Sequence, residues 1–89
     1  MKILQIMGGA SDGGAEIFFI DAIKALKKKN INQYIIISNR NKERIKKVID
    51  LKIPYSTSSF NKFFKWNTKK VLNKVIEDFE PDIIHYWMG

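Results

Sequence analysis

The feature that most constrains how this 89-residue chain can fold is an apolar run that ends in a glycine cluster and leads into an amphipathic segment. Ile3, Leu4, Ile6 and Met7 suit a buried strand closed by a turn, which places a first strand over 2–7. Gly8, Gly9, Gly13 and Gly14 crowd the turn that follows. Residues 14–29 then carry Phe19, Ala22, Ile23 and Leu26 at helical spacing and close on Lys27, Lys28, Lys29 and Asn30, as a cationic helix end should. Strand, glycine turn and helix in that order predict the opening of an α/β nucleotide-type fold.

The alternation continues. Tyr34 to Ile37 is the most β-prone stretch and predicts a second strand, followed by Ser38 and Asn39, which favour turns and caps. From Lys42 to Leu51, Ile45, Val48 and Ile49 share a helical face, with Arg44, Lys46 and Lys47 expected to face away. Ile53, Pro54 and Tyr55 predict a short third strand, confined by Pro54 to an edge or a strand start. Phe60, Phe63 and Phe64, then Val71, Leu72, Val75, Ile76 and Phe79, predict a third helix ending before Pro81. Ile83 to Trp87 predicts a fourth strand. The expected fold class is therefore α/β, an open parallel sheet with flanking helices in the order β-α-β-α-β-α-β, Rossmann-like, with right-handed crossovers.

At 45% hydrophobic and 28% charged residues with two prolines, the chain has material for one core and none of the bias of disorder. Its length allows at most one domain. A parallel sheet is covered by helices on both faces, and three helices with a halt at Gly89 lead us to expect part of a longer protein. No run reaches the roughly 18–20 apolar residues of a membrane span, and Gly8, Ser11 and Asp12 interrupt the start too early for a signal-peptide core. Without cysteine and with one histidine, thiolate and multi-histidine metal sites are excluded, and no metal or cofactor is expected. Sixteen Lys and Arg against nine Asp and Glu give +7, which favours an anionic partner.

In open α/β sheets the ligand sits outside the carboxyl ends of the strands, where the loop after the first strand feeds a helix start. Unpaired N–H groups and the helix dipole favour phosphate or carboxylate there, and Gly13 and Gly14 would let the backbone come close. The dinucleotide fingerprint fails because Ala10 stands where a glycine is needed, and Ser38, Asn39 and Arg40 put no acid after the second strand. The P-loop fails because Gly14 and Ala15 replace its lysine and hydroxyl. A structural alternative is a plain tight turn, with Gly13 as cap and Glu16 reaching back as half a capping box.

The stretch Gly13-Gly14-Ala15-Glu16, between a strand and an amphipathic helix, resembles the opening of family 4 glycosyltransferases of the GT-B fold. Pro81-Asp82-Ile83-Ile84-His85 resembles the strand that leads into the acceptor side of the cleft in that family, so the resemblance spans nearly the whole chain. It implies the start of an N-terminal, acceptor-binding domain, with the donor-nucleotide pocket in a second domain absent from these residues. The implied reaction moves a sugar from a nucleotide-sugar to a glycan or lipid-linked acceptor with retention and no essential metal, in polysaccharide or lipopolysaccharide synthesis. Gly13 and Gly14 would then lie near the donor diphosphate or the transferred sugar, where fixed N–H groups stabilise the charge of the departing diphosphate. His85, at a strand end, could bond a sugar hydroxyl or accept a proton, or be structural. Family members often carry a second histidine where this chain has Trp87, which would stack on a sugar on the acceptor side.

Lys62, Lys65, Lys69, Lys70 and Lys74 stand among Phe60, Phe63, Phe64 and Trp66, so residues 60–74 fit either a peripheral contact with anionic membrane or aromatics packed on the sheet beneath a solvated lysine face. The first places the protein in the cytoplasm, at the inner face of the membrane. Nucleic acid is not an expected partner, because the lysines scatter over three helices without a recognisable motif. The rival readings are a non-catalytic flavodoxin-like or receiver-like binding module and a sugar epimerase or dehydrogenase. A receiver would need an acidic cluster after the first strand and an aspartate ending the third, and Gly8, Gly9 and Ile53 to Ser56 supply neither. The failed dinucleotide spacing counts against the second.

Overall fold

In the computed structural model, which describes residues 1–8, 14–40, 42–58 and 65–87, with the side chains of 14–17 and 65–68 left aside, strands and helices alternate. They are β1 (Lys2–Met7), α1 (Gly14–Lys28), β2 (Asn32–Ser38), α2 (Lys42–Asp50), β3 (Tyr55–Ser58), α3 (Lys65–Phe79) and β4 (Ile83–Trp87). The first and fourth strands lie where the sequence predicts them. The third is displaced: it starts after Pro54, which lacks an N–H for the ladder but whose carbonyl accepts from Ile35 N at 3.0 Å. The third helix begins at Lys65; Phe60, Phe63 and Phe64 lie outside the described residues.

All strand pairs are parallel, in the order β3-β2-β1-β4. The chain steps from β1 through β2 to β3 in one direction, then returns past β1 to lay down β4. With crossovers of one hand, that reversal must move the next helix to the other face of the sheet. The core divides accordingly. Phe19, Ile20 and Ile23 of α1 and Val48 of α2 bury Met7, Ile35 and Ile37 on one face. Val75 of α3, with Val71, Leu72, Ile76 and Phe79 around it, covers Leu4, Ile6 and Ile36 on the other. Alternate residues of β1 thus serve opposite layers, as the pleat requires.

Helix α2 corrects one expectation. Arg44 does not face away but is buried at 1% exposure, whereas Ile49, expected on the covered face, is 49% exposed. Arg44 lies one turn before the buried Val48 on the same face, and its long stem can be covered with the apolar residues around it. Each helix ends on a residue in the left-handed region: Asn30 at φ 60°, Lys52 at 59° and Glu80 at 51°. After α1, Asn30 N donates to Lys27 O at 3.0 Å and Ile31 N to Leu26 O at 3.1 Å, the paired bonds of a Schellman cap.

Strand β4 is fastened to β1 at its entry. Lys2 N donates to Asp82 Oδ2 at 2.9 Å, and Asp82 N donates to Lys2 O at 2.8 Å. This reciprocal clamp gives Asp82 of the Pro81-Asp82 motif a structural task, the setting of the β1–β4 register. Beyond it Ile83, Ile84 and Tyr86 remain 44%, 51% and 53% exposed, so apolar surface is uncovered on both faces of β4.

Candidate functional site

The order β3-β2-β1-β4 reverses between β1 and β4, and in open α/β sheets such a point of reversal, at the carboxyl ends of the strands, is where ligands bind. Met7 and Trp87 are register partners at that point. Gly8 follows β1 at once, and Gly14 opens α1, whose N-terminus therefore lies at the carboxyl side of the sheet. Gly8 does not have positive φ, so its backbone does not itself demand glycine, and Gly14 is the first residue of α1. Gly13, the other predicted diphosphate contact, lies outside the described residues, as do Ser11 and Asp12. The capping role of Glu16 rests on a side chain that is likewise not described.

The other two predicted site residues come together. His85 and Trp87 alternate onto the α1 face of β4, with ring centroids 4.5 Å apart and planes tilted by 40°. His85 is exposed and Trp87 half-buried. The indole is held on two further sides: the Phe19 ring of α1 meets it nearly edge-on at 5.6 Å and 81°, and its Nε1–H donates to Gln5 Oε1 at 2.9 Å.

Gln5 and Gln33 are the residues that sequence reasoning missed. Both are buried, at 1% and 4% exposure, inside strands whose other buried side chains are apolar apart from Ser38. Gln5 Nε2 donates to Gln33 Oε1 at 3.2 Å, and Gln33 Nε2 donates to Ile23 O at 3.0 Å. The available signal was two amides placed within β-prone runs, since a buried amide needs partners and so marks a network. Among the described residues no group of three or more His, Asp or Glu side chains is arranged to hold a metal, and no helix is long and apolar enough to cross a membrane. A separate groove, on the α3 side of β3, is edged by Tyr34, Ser56, Lys74 and Asp78, with Tyr34 and Ser56 joined through their hydroxyls.

A parallel sheet in this order, with a helix start and an aromatic pair at its point of reversal, defines an α/β protein of Rossmann-like architecture whose strand order reverses between β1 and β4. Its sequence is similar to that of the lipopolysaccharide core biosynthesis glycosyltransferase LpsD of Rhizobium meliloti (strain 1021), with 30% identity over 91 residues. The match takes in 98% of this chain and 25% of that protein, so the chain spans about a quarter of the relative's length. No family model matches the chain, and no solved structure matches it.

Proposed function

We infer that the chain is the N-terminal part of a glycosyltransferase that moves a sugar from a nucleotide-sugar to a glycan or lipid-linked acceptor in lipopolysaccharide or related surface-polysaccharide synthesis. The observation that carries this reading is the similarity to LpsD along 98% of the chain, joined to a helix start at the sheet's point of reversal. Membership of family 4, the GT-B fold and retention of configuration come from the Gly13 to Glu16 and Pro81 to His85 motifs. The uncovered apolar faces of β4 favour further elements of a longer protein packed there, with a second domain delivering the donor.

Each residue then has a task. The N–H groups at the start of α1, at Gly13 and Gly14, face the donor diphosphate and stabilise the charge that develops as it departs. His85 bonds a sugar hydroxyl or takes its proton, and Trp87 offers a ring to the acceptor. The exposed Lys69, Lys70 and Lys74 contribute to a peripheral contact with anionic lipid through residues 60–74. From Val71 onward the apolar side of α3 is committed to the sheet, so the membrane-facing apolar groups must come from the residues before it.

The test is incubation of the full-length protein with a panel of nucleotide-sugars and a truncated lipopolysaccharide core, followed by mass spectrometry of the acceptor. One donor should add the mass of one sugar, and the anomeric configuration of the product reports retention. An acceptor unchanged with every donor, while a known transferase modifies it, would overturn the assignment.

A further inference from the structure

The buried amide chain has a direction that chemistry fixes. Ile23 O can only accept, so Gln33 must present Nε2 to it. That turns Gln33 Oε1 toward Gln5, which must answer with Nε2. Gln5 Oε1 is then left for Trp87, whose Nε1–H can only donate. A group that only accepts at one end and a group that only donates at the other leave both amides a single orientation. Each link falls back along the neighbouring strand, since Gln5 pairs in register with His85 and not Trp87, and Gln33 with Ile3 and not Gln5. The network therefore runs diagonally beneath α1, from Trp87 on β4 through β1 and β2 to the helix backbone.

We propose that Gln5 is a positioning residue for the acceptor-side subsite, holding the Trp87 indole at one rotation so that it meets the sugar by ring stacking and not by its N–H. This rests on the reading of Trp87 as an acceptor contact. The only indole donor is consumed at 2.9 Å by a side chain with 1% exposure, so what the half-buried ring still offers a ligand is ring surface alone. The chemistry that such a surface recognises is the C–H face of a pyranose. Phe19 fixes the ring from α1 and Gln5 fixes it from β1, and without Gln5 the ring keeps the contact but loses the anchor on its rotation.

The experiment uses the full-length protein with Gln5→Met, which keeps the length and most of the volume of the side chain and removes the acceptor. In nitrogen–proton spectra the Trp87 indole signal is assigned by its loss in Trp87→Phe. Its exchange with solvent should accelerate about tenfold or more in Gln5→Met, and an unchanged rate overturns the hydrogen-bonded anchor. The acceptor KM should rise about fivefold with kcat altered by less than about twofold, and Trp87→Ala should do the same. Gln5→Met added to Trp87→Ala should cost nothing more, because the two act as one unit. A raised KM in Trp87→Ala beside an unaltered KM in Gln5→Met overturns the positioning role. An unaltered KM in Trp87→Ala instead overturns the acceptor reading of Trp87, and with it the role of its anchor. Should Gln5→Met fail to fold, Gln33→Met breaks the same chain one link further back and is expected to move the indole exchange and the KM in the same direction.

Discussion

Phe19 of α1 and Trp87 of β4 meet nearly edge to face at 5.6 Å and 81°, which joins the first helix to the edge strand at the sheet's point of reversal. Phe19 is fully buried and Trp87 half-buried, so the pair marks where the core meets the surface. Phe19→Ala should destabilise the full-length protein by about 3–5 kcal/mol through the cavity it leaves. Denaturant unfolding measures this, and a cost below about 1 kcal/mol would show that Phe19 is not part of a packed core.

Gly14 separates a structural from a chemical need for glycine. It opens a helix as its first residue, so Gly14→Ala should leave stability unchanged or raise it by up to about 1 kcal/mol. Turnover in the full-length enzyme should nonetheless fall about tenfold or more, because the methyl group stands where the diphosphate approaches. Wild-type kinetics in that variant would reduce Gly14 to a helix start.

The αL positions after α2 and α3 are held by residues that pay for them in strain. Lys52→Gly and Glu80→Gly should each stabilise by about 0.5–1 kcal/mol, the relief at positive φ exceeding the added freedom of the unfolded chain. Thermal unfolding of the single variants checks this, and a loss of stability at both would contradict the cap geometry.

Asp82 holds the entry of β4 through reciprocal bonds with Lys2. Its carboxylate bond is exposed, so Asp82→Ala should cost only about 1 kcal/mol, and Asp82→Asn, which keeps an acceptor, less. Equal losses in the two variants, read by denaturant unfolding, would mean that the side-chain bond contributes nothing.

Much of the architecture was legible because each strand and helix announces itself at short range. β1 and β4 are bounded by Gly8 and Pro81, and the faces of α1 and α3 follow a regular 3.6 spacing. What local pattern cannot carry is depth. Arg44 read as a surface cation and lies buried, and Ile49 read as core and lies exposed, because the helical period does not say how far a neighbouring layer extends over α2. His85 and Trp87 were legible as neighbours on one face of a strand, two residues apart. Gln5 and Gln33 were not, because their partners are 82, 28 and 10 residues distant in the chain, a distance that only the fold closes.

The proposed glycosyltransferase function, with its ligand site at the β1–β4 reversal, is tested most directly by nucleoside diphosphate release in the full-length protein, measured with and without acceptor in wild type and in Gly14→Ala. Acceptor-dependent release in the wild type, cut about tenfold or more in a Gly14→Ala protein of undiminished stability, is the expected result. Release that is absent in the wild type, or equal in both proteins, would contradict it.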